Sequence, residues 1–324
     1  MSQPWVPTFD GAAIQDAVPV ADLLDAIEGA YRDVAAGRDL SPVRSRFEIA
    51  GGDLLLMPGL RSDGPGVAVK LVTVVPGNAD RGLPTVQAVV VWFDAASGEP
   101  RAILDGTTVT AMRTGAASGV ATRLLARPDA SVMALFGTGA QAAWQVRAVL
   151  AARPIRELRL YARREEPRAA FVERMAAELG PEVEIVGVRT PAEALLGADV
   201  VCCATTSSEP IFDAELVEPG THVNGIGAFR LEMVEIPPAL FARATLVAVD
   251  SRDAALAEAG DLVAALHDGH LAEDGYVELG SVDPSWAETR DSQAITVFKS
   301  VGLAIQDLAA AELIAGRLLA RRLA

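Results

Sequence analysis

The chain has 324 residues, 51% of them hydrophobic and 22% charged, which is enough for one large or two ordinary domains. Its formal net charge of −15 argues against a nucleic-acid or anionic-membrane partner, and no apolar run reaches the length of a membrane span. Residues 1–10 lack the basic-then-apolar pattern of a signal peptide, so a cytoplasmic protein is expected.

Residues 20–38 alternate apolar and acidic side chains at helical spacing, with Asp22, Asp25 and Glu28 on the wet side and Gly37 ending the helix. After Pro42, Arg44 and Arg46 share one face of an extended segment while Ser45 points away. Residues 53–57 and 67–75 read as strands, separated by the turn residues Pro58-Gly59 and Asp63-Gly64-Pro65-Gly66. Residues 86–93 form a third strand, closed by a turn at 96–99, and Ile103-Leu104 reads as a short fourth. The N-terminal third is therefore antiparallel sheet plus one helix.

A long helix of small residues follows at 108–126, and the domain boundary is expected inside it, near 118–130. From Ala130 the pattern alternates strand and helix, as in a doubly wound parallel sheet. The expected strands are 132–136, 157–161, 183–186, 200–204, 222–225 and 246–249. The expected helices are 140–152, 167–179, 191–196, 261–267 and an amphipathic 304–320.

The first of these strands runs into Gly137-Thr138-Gly139-Ala140-Gln141-Ala142 and then a helix, the order of a dinucleotide-binding turn. Gly137 permits the tight turn, Gly139 lets the backbone approach a pyrophosphate, and Ala142 allows close helix–strand packing. Ala140 and Gln141 open the helix whose N–H groups would hold the phosphates. The second strand ends at Tyr161-Ala162-Arg163-Arg164, where an NAD-binding domain usually places Asp or Glu for the ribose 2′-OH. Arg163 and Arg164 suit a 2′-phosphate instead, so NADP(H) is favoured over NAD(H).

Lys70 interrupts the apolar run G-V-A-V-K-L-V-T-V-V, at a cost of several kcal/mol if buried without a partner. Either the strand is a solvated edge from which the ammonium snorkels out, or Lys70 faces an anionic ligand in a cleft, the reading favoured here. Arg113, in a helix of Ala, Thr, Gly and Ser, could join it with Arg44 or Arg46 on a carboxylate. On this reading Lys70→Met removes an uncompensated charge, and the fold is expected to keep or gain stability. His222, His267 and His270 show no metal-ligand spacing, and adjacent Cys202 and Cys203 read as core residues, so no metal is expected.

With these residues in view, the chain resembles the ornithine cyclodeaminase/mu-crystallin family along nearly its whole length. The resemblance rests on Leu55-Leu56-Met57-Pro58, Val69-Lys70-Leu71-Val72, Gly82-Leu83-Pro84-Thr85-Val86-Gln87-Ala88, Leu104-Asp105-Gly106-Thr107 and Arg113-Thr114-Gly115-Ala116-Ala117-Ser118. It continues through Phe136-Gly137-Thr138-Gly139-Ala140-Gln141, Pro219-Gly220-Thr221-His222-Val223-Asn224 and Val297-Phe298-Lys299-Ser300-Val301-Gly302-Leu303-Ala304. It implies an α/β homodimer with two domains. Residues 1–120, completed by a C-terminal helix at 303–324, would form an α+β substrate-binding and dimerisation domain. Residues 121–302 would form a Rossmann-type doubly wound parallel sheet. The resemblance also implies a substrate carboxylate held by Arg44, Lys70 and Arg113, with Thr85 lining the same cleft. Thr205, the loop Gly225–Gly227 and Ser300 would meet the nicotinamide.

Two departures matter. Ornithine cyclodeaminases carry an Asp for the substrate amine where this chain has Phe229, and a Glu facing the diamine where it has Leu55. Cyclic-imine reductases of the family look closer at these places. The expectation is an NAD(P)H-dependent reductase of a small cyclic ketimine carboxylate, of the pyrroline-2-carboxylate or piperideine-2-carboxylate type, with Lys70 as the catalytic residue. An alanine dehydrogenase-like or ornithine cyclodeaminase-like enzyme is the alternative, and a non-catalytic NADPH-bound ligand-binding protein is the alternative from another class.

Overall fold

The computed structural model describes residues 5–323, so residues 1–4 of the segment read for a leader, and Ala324 of the expected last helix, lie outside it. In chain order the first elements are β1 (Thr8–Phe9), α1 (Gly11–Ala17), α2 (Val20–Ala35), β2 (Ser45–Ile49), β3 (Gly52–Gly59), β4 (Gly66–Val74), β5 (Val86–Asp94), β6 (Pro100–Asp105) and α3 (Gly106–Leu125). The alternating region contains β7 (Val132–Phe136), α4 (Ala142–Ala152), β8 (Glu157–Tyr161), α5 (Glu165–Leu179), β9 (Glu184–Val188), α6 (Pro191–Leu195), β10 (Val200–Cys203) and β11 (His222–Gly225). It ends with α7 (Pro238–Arg243), β12 (Leu246–Val249), α8 (Arg252–Glu258), α9 (Gly260–His267), β13 (Val277–Glu278), α10 (Trp286–Thr289) and β14 (Thr296–Lys299), before α11 (Ala304–Leu323). These elements form two compact units, one running through Arg113 and resuming at Leu303, the other Thr114–Gly302. Among the described residues no helix is long and apolar enough to cross a membrane.

The first unit is a six-stranded sheet in the order β1-β6-β5-β4-β3-β2. Its strands pair antiparallel except β1, which runs parallel to β6. Helix α2 buries Leu23, Leu24, Ile27, Ala30 and Tyr31, an apolar stripe at helical spacing, and packs against α11. Gly37, at φ +69°, ends it by donating its N–H to Val34 O at 2.9 Å. Helix α1 was not read from the sequence, although Asp10 caps it through Ala13 N at 2.9 Å. Pro58 and Gly59, expected as a turn, continue β3 opposite Val69 and Ala68. The proline is tolerated because β2 accompanies β3 only as far as Leu56, so the ladder on that side has already run out.

The second unit is an eight-stranded, all-parallel sheet in the order β13-β12-β14-β11-β10-β7-β8-β9. Its inner strands β10, β11 and β14 are buried at every position, as two-sided burial requires. From β7 the chain steps to β8 and β9 on one side and then to β10 and β11 on the other. The switch in strand order therefore falls between β7 and β10, whose carboxyl ends are the expected place for a ligand. Strand β14, between β11 and β12, was not expected as a strand; its four residues end in Lys299, which disguises a core strand.

Candidate active site

Strand β4 lies in the middle of its sheet, with Lys70 paired to Met57 on one side and Val90 on the other. The solvated-edge reading of Lys70 is therefore excluded. Burial alternates along β4, and Lys70 points to the buried face, where its side chain is 1% exposed. The partner that makes this burial possible is Asp307 on α11, whose Oδ2 lies 2.7 Å from Lys70 Nζ. Asp307 Oδ1 accepts from Arg113 Nε at 3.1 Å. Arg113 Nη1 donates to Gln306 Oε1 at 3.0 Å, and Gln306 Nε2 donates to the Tyr31 hydroxyl at 2.6 Å.

The sequence brings Lys70 and Arg113 to notice but misses Asp307, Gln306 and Tyr31. A signal was present: Gln306 and Asp307 stand beside Ile305 and Leu308 on the apolar side of an amphipathic helix. A second signal was compositional. Of 28 Lys and Arg residues only Lys70 and Lys299 are lysines, and each is buried in an ion pair with an aspartate.

Burial lowers the Lys70 pKa to about 7; Asp307 works against the shift, while Arg113 and Arg44 add to it. At Asp307 burial acts to raise the pKa, but Lys70 and Arg113 overcome it and hold the carboxyl below its ordinary value. Arg44, half-buried just before β2, thus contributes to a cluster of three cations near one carboxylate. Such a cluster suits a second, exogenous carboxylate. Arg46, the other candidate, pairs with Asp53, its Nε 2.8 Å from Asp53 Oδ1 in a partly exposed pair. Thr85 precedes β5 by one residue, five positions from Val90, or roughly 16 Å along the strand from Lys70's neighbour. Leu55 is buried on the same face of β3 as Met57, opposite Val72, so this flank of the cluster is apolar.

In the second unit Gly137 follows β7 at φ +104°, and a Cβ there would lie 2.6 Å from Ala204 O, past the end of β10. Only glycine fits this turn. Around Gly139 a Cβ would meet nothing within 4 Å, leaving open space beside exposed Ala140 at the start of α4. That helix begins at Ala142, two residues later than expected; its N-terminus has no side-chain cap, and Gln141 Oε1 is buried without a partner. An uncapped helix start with open space before it fits a dinucleotide pyrophosphate.

Arg163 and Arg164 are exposed directly after β8, the neighbour of β7. Thr205 follows β10, Gly225 closes β11, and a Cβ on Gly227 would lie 2.1 Å from Thr205 O, so these two loops touch. Phe229, in the same segment, is half-buried beneath the Arg230 guanidinium. Ser300 is buried, and its hydroxyl donates to Asp250 Oδ2 at 2.8 Å.

His222 is buried between Thr296 Oγ1 and Asn224 Oδ1, and burial lowers its pKa to about 3. Burial pushes the Cys202 thiol up to about 12. Both are packing residues. Among the described residues no group of three or more His, Cys, Asp or Glu side chains could hold a metal.

The sequence profile of the ornithine cyclodeaminase/mu-crystallin family matches residues 10–322. The Delta(1)-pyrroline-2-carboxylate reductase of Bacillus cereus is 37% identical over 287 residues, covering 87% of this chain and 87% of that protein. Among solved structures, the Thermococcus litoralis Delta(1)-pyrroline-2-carboxylate reductase in complex with NADH and L-proline superposes with a TM-score of 0.91 at 31% identity, covering 98% of each chain. An archaeal alanine dehydrogenase dimer with bound NAD gives a TM-score of 0.87 at 30% identity, covering 98% of this chain and 97% of that one.

Proposed function

The chain belongs to the ornithine cyclodeaminase/mu-crystallin family as an imine-reducing oxidoreductase, and we propose that its substrate is a small cyclic ketimine carboxylate of the pyrroline-2-carboxylate or piperideine-2-carboxylate type. The observation that carries this reading is the buried Lys70–Asp307–Arg113 cluster. Lys70 and Arg113, with Arg44, hold the substrate carboxylate, and Asp307 fixes the two buried cations in place. The chemistry that NAD(P)H would supply when bound is a hydride for the C=N carbon. The imine nitrogen then needs a proton, and the Lys70 ammonium, with its pKa lowered to about 7, gives one up at neutral pH. An arginine could bind the carboxylate but could not serve as donor, which accounts for a lysine here in a chain whose basic residues are arginines apart from Lys70 and Lys299.

Gly137, Gly139, Ala140 and Gln141 would hold the pyrophosphate, and Thr205, Gly225, Gly227 and Ser300 would shape the nicotinamide end. The exposed pair Arg163 and Arg164, after Ala162, favours NADP(H) over NAD(H).

The protein works as a homodimer. The sheet face opposite Lys70 carries Phe47, Ile49 and Leu71, which are 52%, 37% and 40% exposed. Half-buried Leu56, Val69, Val89 and Val91 lie on the same face. An apolar face of this kind suits an isologous contact with a second copy, and the related archaeal alanine dehydrogenase is a dimer.

The deciding experiment mixes the protein with NADPH and pyrroline-2-carboxylate and follows the near-ultraviolet absorbance of the reduced nicotinamide. Its loss, with appearance of proline, supports the reductase. Tight NADPH binding without turnover on a panel of cyclic ketimine carboxylates would instead mark a ligand-binding protein.

A further inference from the structure

Behind the loops that close β10 and β11, three charged side chains are shut off from water. Glu235, Asp261 and Lys299 are each no more than 1% exposed. Lys299 Nζ lies 2.7 Å from Asp261 Oδ2 and donates to Ala228 O at 2.7 Å. Asp261 Oδ1 accepts from Glu235 N at 2.6 Å and Ile236 N at 3.0 Å. Glu235 Oε2 accepts from both Thr205 N, at 2.9 Å, and Thr205 Oγ1, at 3.0 Å. Its Oε1 accepts from Gly227 N at 2.6 Å and Ala228 N at 3.2 Å.

Two buried acids against one buried base is a costly arrangement, and apolar side chains would make a more stable core. What the arrangement achieves is specific: one carboxylate grips two loops that belong to neighbouring strands. The Gly227 backbone, where a Cβ would lie 2.7 Å from Glu235 Oε2, allows that grip.

We propose that Glu235 is a positioning residue for the nicotinamide end of the dinucleotide, its carboxylate holding Thr205 and Gly227-Ala228 in the one arrangement that the cofactor uses. The inference rests on the reading of this chain as a dinucleotide-dependent enzyme whose nicotinamide meets those loops. The anion accepts from all four donors at once. A proton on Oε1 would face two N–H groups and find no acceptor, and a proton on Oε2 fits only if the Thr205 hydroxyl turns round to accept it, which loosens the grip on Thr205.

The grip should therefore respond to pH. Burial raises the Glu235 pKa to about 7, Lys299 works against that shift, and Asp261 adds to it. The Cys203 and Cys202 thiols on β10 are the other titratable groups that feel the Glu235 charge, and burial pushes both pKa values up, so they stay neutral.

The test measures NADH binding by fluorescence between about pH 6 and 9, alongside a thermal melt. NADH is the probe because it lacks a 2′-phosphate that would titrate in the same range. For the unmutated protein the dissociation constant should rise as pH falls below about 7, by up to about tenfold per pH unit. Glu235→Gln should bind at least about tenfold more weakly above neutrality and show a flat profile, because its amide NH2 faces one of the two donor pairs. Equal binding with the same pH slope in Glu235→Gln overturns the proposal, as does a lowered melting temperature with unchanged binding. If Glu235→Gln does not fold, the unmutated protein decides alone, and a dissociation constant constant through neutrality overturns the proposal. Failure of the unmutated protein to bind NADH or NADPH at any pH overturns the dinucleotide reading itself, and the proposal with it.

Discussion

Lys70 Nζ lies 2.7 Å from Asp307 Oδ2, with both side chains 1% exposed, so the strand and the last helix of the first unit meet through a buried ion pair. The Lys70 pKa, lowered to about 7, makes this pair pH-sensitive. In the unfolded chain the lysine keeps its proton up to about pH 10.4. Between these values the unfolded state binds more protons than the folded one, so this group makes stability rise with pH across that window and contributes no further slope below it. Turnover should run the other way. If the ammonium is the proton donor, kcat/KM for imine reduction should fall above about pH 7. Asp307→Asn, which removes the group that raises the lysine's pKa, should move that limb to lower pH. Urea melts and pH–rate profiles of the two proteins check both signs, the melts being read as the difference between the two proteins, because the raised Cys202 and Cys203 thiols pull stability the other way above about pH 8.5 in both.

Lys70→Met should lower kcat/KM by at least about a hundredfold, since a preorganised charged contact is worth about 2.7–4 kcal/mol in the transition state. The structure corrects the expectation that this variant keeps or gains stability. Lys70 is compensated by Asp307, so the change leaves that carboxylate buried with Arg113 as its remaining cation. Loss of one partner from a buried pair costs about 3–5 kcal/mol when nothing replaces it, and Arg113 should hold the loss to the low end of that range or below. A thermal melt beside a turnover assay should show both losses. Unchanged turnover would remove Lys70 from the site.

What could be read from the chain follows from how local each signal is. Strands β7 and β12 begin and end where their apolar runs do, because a strand buried on both faces needs an unbroken run. The glycine turn after β7 was legible for the same reason: its demands are met within six residues. Asp307 was not legible because its meaning depends on Lys70 and Arg113, both more than 190 residues earlier. On α11 alone it is one acid beside a leucine. Glu235 is the same case in the second unit. Its four donors come from two loops, and nothing in Val234-Glu235-Ile236 announces them. Pro58 and β14 were misread because a local rule was outweighed by the position of each strand in its sheet.

Cofactor choice is tested at Arg163, which is exposed directly after β8 where an acidic residue would mark NAD. NADPH should bind more tightly than NADH, and Arg163→Ala should narrow the gap by about 1.5 kcal/mol, the low end for a charge-assisted contact because the guanidinium is wet. Titration of both cofactors into both proteins measures it. Equal affinities in the unmutated protein would refute the preference.

Ornithine should be a poor substrate or none. Leu55 is buried on the Lys70 face of its strand, and Phe229 stands half-buried under Arg230, so neither supplies a carboxylate for a second ammonium. Burying that ammonium unpaired costs several kcal/mol, which corresponds to a thousandfold or so in kcat/KM. Efficient release of ammonia from ornithine with formation of proline would show that another acid serves the amine.

Leu71 tests the dimer without touching the chemistry. It follows Lys70 directly, so its side chain leaves the opposite face of β4, where it is 40% exposed beside Phe47 and Ile49 rather than packed under α11. If a second copy covers this face, Leu71→Asp places a carboxylate from each copy in an apolar contact, and each buried charge costs several kcal/mol. Sedimentation should then show a dimer for the unmutated protein and a monomer for Leu71→Asp at the same micromolar concentration. The ion pair on the other side of the strand should survive, so Lys70 keeps its lowered pKa and residual turnover keeps its pH profile. An unmutated protein that sediments as a monomer, or a Leu71→Asp variant that remains dimeric, would mean that this face is not the contact between copies.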